Sequence, residues 1–384
     1  MRFFHLSDLH IGKHLHHYNL KEDQRHILSE IVSYTKKLKP DAIVIAGDVY
    51  DKSVPSAEAV TVFDDFLTDL SQIKPEVPVL IISGNHDSPE RISYASGILK
   101  KNQIYMAGIA PRTKEDYLKK VTFEDEYGEV QFYLLPFMKP SHVRNLFEEV
   151  PETYTDAVKG VLEREKIDYK KRNVLVSHQF YTSGGEKPET CDSEIISVGG
   201  IDNVDISAVE NFDYVALGHI HGAQTVGKKY IRYCGTPLKY SVSESGHEKS
   251  LTVVTLKEKG MEPEIEKFPL HPLYDVRKKT GEFADILQEA SLANEQDYVS
   301  ITLTDEIEPY RPKEQLENVY ARILEIRIDN TRTRNKLLDL DEEEISDDPF
   351  AAFAGFFEEM QGRMLNEDEK AFLLKIFEQE REEE

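Results

Sequence analysis

Ala42-Ile43-Val44-Ile45-Ala46-Gly47-Asp48-Val49-Tyr50-Asp51 is the stretch that decides the architecture. Its first five residues are apolar without interruption and end at a glycine and a carboxylate. Such a run reads as a strand buried on both faces, because a strand with one wet face would alternate. Residues 3–6, 79–82, 174–176 and 214–217 repeat the pattern. Helical spacing fills the gaps between the first three runs. One helix is predicted over 20–38 (Ile27, Leu28, Ile31, Val32, Leu38) and another over 57–70 (Val60, Phe63, Phe66, Leu67). Alternation of strand and helix predicts a layered α/β fold with a partly parallel sheet. Residues 121–123 and 130–135 read as a hairpin around Tyr127-Gly128. Residues 230–233 and 251–256 read as later strands that add antiparallel pairs.

Each of the five runs leads to a side chain able to bind metal. Residues 3–6 lead to Asp8 and His10, 42–46 to Asp48 and Asp51, and 79–82 to Asn85, His86 and Asp87. Residues 174–176 lead to His178, and 214–217 to His219 and His221. Ligands in α/β sheets bind beyond the carboxyl ends of the strands, so five such ends gather these groups in one place. A lone histidine is more often a packed or exposed residue than a ligand; five motifs in order, each after a strand, are not accidental.

The residue types narrow the chemistry. Carboxylate, imidazole and amide donors suit Mn, Fe, Zn or Co, whereas a magnesium site ordinarily lacks histidine. No cysteine belongs to the set, which argues against structural zinc. Asp-x-His and His-x-His put both side chains on one face when extended, so each pair addresses a common centre. Glycines at 47, 84 and 218 permit tight turns that aim the following residue inward.

The bulk composition sets bounds. Two cysteines, Cys191 and Cys234, make no disulfide framework and fit a reducing compartment. The N-terminal residues turn polar too early for a signal peptide, and no apolar run suits a membrane helix. A soluble, cytoplasmic protein without membrane contact is expected. Net charge is −24, half of it in residues 341–384, where sixteen acids face four bases. That balance argues against wrapping DNA broadly with basic side chains, yet leaves room for a site where bound cations are the local positive charge.

Past residues 268–272, where two prolines mark a boundary, the chain changes character. A small αβαβ unit is predicted over 273–330, with helices at 281–293 and 313–320 and strands at 298–304 and 323–328. Arg332, Arg334 and Lys336 form a short basic stretch, either a solvated connector or a contact to phosphates. Residues 341–348 read as an acidic linker. Asp348 then caps a helix with Pro349 at its first position, and Phe350, Phe353, Phe357, Met360 and Met364 recur at heptad spacing. Asn366 to Glu369 opens a second helix as a capping-box variant. These stripes either fold back on the body or dock on a partner helix.

The motifs Asp8/His10, Gly47/Asp48/Asp51, Gly84 to Asp87, His178 and Gly218/His219/His221 resemble those of the calcineurin-like metallophosphoesterase superfamily. The resemblance implies a layered metallophosphoesterase fold of mixed sheets flanked by helices. It also implies two metal ions, one held by Asp8, His10, Asp48 and His221, the other by Asp48, Asn85, His178 and His219. Between them the cations make water a nucleophile and offset charge building on the phosphate. His86 becomes the candidate for binding that phosphate or protonating the leaving oxygen. Asp87 is expected to orient a histidine, and Asp51 either does the same or is a solvated turn residue.

Residues 5–13, 46–51, 83–88 and 233–241 are similar, more narrowly, to the SbcD-type DNA nuclease subunits. That likeness implies a nuclease domain over 1–270, a small α+β DNA-capping domain over 271–340 and a C-terminal helical tail over 341–384. It implies two Mn2+ ions, 3′-to-5′ exonuclease action on double-stranded ends, and endonuclease action on hairpins. It further implies an SMC-like ATPase partner (SbcC) bound through the tail, and a homodimer formed through helices at 57–70 and 88–101. Val62, Phe66, Ile92, Tyr94, Ile98 and Leu99 are the residues those helices offer. A small-molecule or cyclic-nucleotide phosphodiesterase of the same fold is the alternative, and a non-catalytic scaffold is the alternative of another class.

Overall fold

The computed structural model describes residues 1–194, 202–290, 296–307 and 309–331, and, further on, 333, 350, 353, 354, 357, 363–367, 369, 370, 372 and 373. The chain divides into two compact units. One comprises Met1–Lys279, Leu287–Ile301 and Lys313–Ile326; the other comprises Thr280–Ile286, Thr302–Pro312 and Arg327–Glu384.

The first unit is built on two six-stranded sheets. In one the order is Glu264–Pro269, Ser250–Thr255, Arg2–Leu6, Ala42–Ala46, Val79–Ile82, Ile104–Ala107. Its last four strands run parallel, and Ser250–Thr255 closes antiparallel against Arg2–Leu6. In the other the order is Gln224–Val226, Lys228–Tyr233, Tyr214–Leu217, Arg172–Ser177, Gly128–Leu135, Lys119–Asp125. Phe3, Val44, Leu80 and Ile82 of the first sheet meet Phe132, Leu134, Val174 and Ala216 of the second in a dry layer. This is why the strands are apolar on both faces: one face meets the other sheet, the second meets helices. Helices Lys21–Leu38 and Ala57–Ser71 cover the first sheet with Ile27, Ile31, Phe63 and Phe66. Helix Tyr154–Arg164, capped by Thr153, covers the other with Val158 and Val161. The fold is the mixed-sheet α/β architecture expected.

Several local expectations change. The strand Ile104–Ala107 and the helix Tyr154–Arg164 were not apparent in the sequence, since one is short and the other is cut by Gly160. Lys228–Tyr233 pairs parallel with Tyr214–Leu217 as well as antiparallel with Gln224–Val226. The single helix expected over 88–101 is broken into Pro89–Ser93 and Ser96–Leu99, because Tyr94 is extended and Ala95 is left-handed at φ 57°. Beyond residue 275 an extra strand, Val276–Gly281, precedes the helix Phe283–Glu289, so the pattern is β-α-β-α-β. Its sheet has the order Val276–Gly281, Tyr298–Leu303, Arg322–Ile328, and its second helix is Pro312–Glu317.

In the tail, the capping box at Asn366 is present. Glu369 N donates to Asn366 Oδ1 (2.8 Å) and Asn366 N donates to Glu369 Oε2 (2.9 Å). The linker 341–348, the Asp348-Pro349 cap, Met360 and the basic side chains Arg332, Arg334 and Lys336 lie outside the described residues. Among the described residues no helix is long and apolar enough to cross a membrane.

Candidate metal centre

The loops after Arg2–Leu6 and Ala42–Ala46 are joined backbone to backbone. Asp8 N donates to the Gly47 carbonyl (2.9 Å), His10 N to that of Asp48 (3.0 Å) and Ile11 N to that of Val49 (2.9 Å). The arrangement requires unusual backbone. Asp8, His10 and Asp48 take φ of 53°, 42° and 49°, and His219 takes 103°. Left-handed backbone in non-glycine residues costs of order 1–3 kcal/mol each and persists where the surroundings over-determine it, as at functional sites. Gly47 is needed for room as well as for its φ of 89°: a Cβ there would stand 2.3 Å from His178 Nδ1. Gly84 serves close approach instead, since a Cβ there would stand 2.1 Å from Asp48 Oδ1.

All seven sequence-predicted ligands converge. His178 Nε2 is 3.3 Å from Asp48 Oδ2, 3.9 Å from Asp8 Oδ1 and 3.1 Å from Asn85 Oδ1. His219 Nδ1 is 2.9 Å from the same Asn85 oxygen. His10 Nε2 is 3.2 Å from His221 Nε2 and 3.8 Å from Asp48 Oδ2. Donor atoms of Asp8, His10 and His221 lie within 4.8 Å of one another, and so do those of Asp8, Asp48 and His178. Asp8 belongs to both groups, and Asp48 Oδ2 also stands between the two sides, 3.8 Å from His10 Nε2 and 3.3 Å from His178 Nε2.

Burial sets the electrostatics. It drives His10 well below the usual imidazole range and His219 down to about 3. Burial acts to lower His178 too, yet Asp48 and then Asp8 outweigh it and hold that ring at about 9. Asp8 is raised by burial. Burial likewise acts to raise Asp48, but His178 beside it wins and keeps it below the carboxylate range. His10 Nδ1 is buried without a hydrogen-bond partner. Two enclosed carboxylates, an amide oxygen and four imidazoles form a donor set that divalent transition metals fit.

The three candidate catalytic residues divide. His86 sits at the rim, half-buried, its ring edge-on to His10 at 4.9 Å. Its Nδ1 donates to the Asp51 carbonyl (2.9 Å), which accepts only, so Nε2 is the atom left for substrate. Asp51 Oδ1 pairs with Lys13 Nζ (2.8 Å) and stands 3.8 Å from His10 Nδ1. Asp87 does not orient a histidine. Its carboxylate accepts from the backbone N–H groups of Gly84 (2.9 Å), Tyr50 (2.9 Å) and Val49 (3.1 Å), and so fastens two loops together. Burial, then the charge of Asp48, lifts it to about 6.

Sequence reasoning missed the supports. Gln24 braces the first loop by donating to the His10 carbonyl (2.7 Å) and accepting from Gly12 N (3.0 Å). Glu194 accepts from His221 N (2.6 Å), and Ser193 reaches His221 Nδ1 (2.7 Å). Polar residues in a loop or a helical first turn look solvated until the tertiary fold buries them; Lys13, which pairs with Asp51, lay inside a motif already recognised.

A sandwich of two mixed sheets with this donor set at its strand ends defines a metallophosphoesterase. Residues 1–223 match the family model of the calcineurin-like phosphoesterases, and residues 269–361 match the type 5 capsule protein repressor C-terminal domain. The SbcD component of nuclease SbcCD from Staphylococcus epidermidis is 35% identical over 329 residues, covering 84% of each chain. Its counterpart from Staphylococcus saprophyticus is 32% identical over 330 residues, again 84% of each. The chain belongs to the SbcD-type nucleases of the calcineurin-like phosphoesterase family. Among solved structures, a Plasmodium inner-membrane-complex anchor, GAP50, overlaps with a TM-score of 0.41 at 14% identity, over 71% of this chain and 89% of that one.

Proposed function

We propose that this chain is the nuclease component of an ATPase–nuclease complex and hydrolyses DNA phosphodiesters with two Mn2+ ions. It acts as a 3′-to-5′ exonuclease on double-stranded ends and as an endonuclease on hairpins. The observation that carries this is the convergence of seven metal-binding side chains from both sheets, with His86 half-exposed at their rim. One ion would be held by Asp8, His10, Asp48 and His221, the other by Asp48, Asn85, His178 and His219, with Asp48 shared. Together they would supply an activated water and offset charge on the phosphate. His86, fixed through its Nδ1–H on the Asp51 carbonyl, presents Nε2 to the phosphate or, when that nitrogen is protonated too, passes its proton to the leaving oxygen and returns to the Nδ1–H tautomer. Asp87 holds the Gly84 and Val49–Tyr50 loops in register so that Asn85 and Asp48 stay in range of His178.

The partner is an SMC-like ATPase of the SbcC type, docked on the helices of residues 341–384. Residues 1–270 are the nuclease domain and 271–340 the DNA-capping domain of a cytoplasmic enzyme. Two copies pair through the faces of 57–70 and 88–101. Val62, Phe66 and Ile92 are buried in the core and unavailable, whereas Val60, Tyr94 and Ile98 are exposed beside a groove lined by Leu67 and Leu99. The deciding experiment is Mn2+-dependent digestion of a blocked hairpin DNA by the wild type and by His86→Ala. No cleavage by the wild type, with the ATPase and ATP also added, defeats the nuclease reading.

A further inference from the structure

Behind His221 lies a group of buried polar residues that the sequence did not single out. His221 Nδ1 is 2.7 Å from Ser193 Oγ, and Ser193 Oγ donates to Glu244 Oε1 at 2.6 Å. Glu244 is wholly buried, in the turn Val242–Gly246. Its Oε1 also accepts from Tyr240 N (3.1 Å) and Ser241 Oγ (3.1 Å). Its Oε2 accepts from Lys249 Nζ (2.6 Å), itself nearly buried, and Lys249 Nζ also donates to the His221 carbonyl (3.0 Å) and Thr236 Oγ1 (2.6 Å).

The direction of these bonds follows from what each group can do. A carboxylate paired with an ammonium accepts only. The Ser193 hydroxyl therefore spends its proton on Glu244, and its lone pair faces His221, so Nδ1 must carry the ring proton. That leaves the Nε2 lone pair free, and Nε2 is the nitrogen 3.2 Å from His10 Nε2 in the metal group. Lys249 grips the same histidine by its backbone, so tautomer, ring angle and main chain are held from one carboxylate.

We propose that Glu244 is a positioning residue for the metal ligand His221, acting through the Ser193 hydroxyl and Lys249 to fix its Nδ1–H tautomer and aim Nε2 at the centre. This rests on the metal-centre reading, with His221 as a ligand. Outer partners of ligating histidines commonly carry this duty. Here the hydroxyl is the nearer partner of Nδ1, with Glu244 Oε1 itself 3.5 Å from the same nitrogen, whereas His178 rests its Nδ1 directly on the Ala46 carbonyl (2.7 Å).

The test is calorimetric titration of metal-free full-length protein with MnCl2 alone, on the wild type, Ser193→Ala, Ser193→Thr and Glu244→Gln. Ser193→Ala breaks the relay while leaving the Glu244–Lys249 pair intact, so it is the decisive variant where Glu244→Gln unfolds. Ser193→Ala is expected to weaken one of two Mn2+ sites by roughly 10–100-fold, leaving the other site and the metal-free melting temperature unchanged. Ser193→Thr, which keeps a hydroxyl, is expected to restore wild-type binding. Wild-type affinity at both sites in Ser193→Ala overturns the relay while leaving the metal centre standing. A wild type that takes up no Mn2+ overturns the centre and the relay together.

Discussion

Asp48 Oδ2 lies 3.3 Å from His178 Nε2, and the two residues come from different sheets. Asp48 follows Ala42–Ala46 and His178 follows Arg172–Ser177, so the centre exists only while the sandwich is closed. Asp48→Asn is expected to bind fewer than two Mn2+ per chain and to lose on the order of 10²–10³-fold in DNA hydrolysis. Metal counting and steady-state kinetics check both, and full stoichiometry with an unchanged rate would refute the assignment. EDTA should abolish cleavage by the wild type and added Mn2+ should restore it.

His86→Ala is expected to slow cleavage of DNA by roughly 10²–10⁴-fold while both metals stay bound, since His86 is placed at substrate and not among the ligands. A substrate with a far more acidic leaving group, such as bis-p-nitrophenyl phosphate, needs little help from a general acid. Equal losses on both substrates would exclude the proton-donor role.

Asp87→Ala leaves three buried backbone N–H groups without their acceptor. It should lower the stability of metal-free protein by about 1–3 kcal/mol, read from a denaturant midpoint. Stability equal to wild type would show that the two loops hold without it.

Asp125 receives both Nη groups of Arg172, with Nη1 3.0 Å from Oδ2. Burial acts to raise its carboxyl, but Arg172, the Met1 ammonium and the Tyr127 backbone N–H together outweigh this and hold it far below the usual range. A depressed carboxyl contributes stability above its unfolded pKa of about 4, and that contribution is lost as pH falls through the folded value. The gap in denaturation midpoint between the wild type and Asp125→Asn should therefore stay constant from pH 8 to about 5 and shrink below about pH 4. A gap that widens on acidification would reverse the sign.

Tyr94 and Ile98 are 81% and 69% exposed on the broken helical segment after Ser88. Tyr94→Glu with Ile98→Glu should convert a dimer to monomer in light scattering, without changing the melting temperature of the monomer. An unaltered mass would move the contact elsewhere.

Much of this molecule is legible along the chain. Apolar runs bounded by Gly-Asp, Gly-Asn-His-Asp and Gly-His-Ile-His mark strands and what lies at their ends, because a buried strand and a glycine turn are local demands of the backbone. The strand Ile104–Ala107 was not legible, being too short for its period to show. The break at Ala95 was not either, because alanine ordinarily favours helix and only the packing of this segment places it at φ 57°.

By itself the sequence determined the donor set, since the chemistry of carboxylate, imidazole and amide is written in the residue types. It also determined the α/β class, because strand and helix periods are local. Only the tertiary structure decided how the set is held. Asp87 joins backbone loops rather than a histidine, and Ser193, Glu244 and Lys249 stand behind His221, more than twenty residues from it in either direction. The reason is physical: a buried polar side chain bonds with whatever the fold brings within about 3 Å, and nothing in its own neighbourhood along the chain says what that will be.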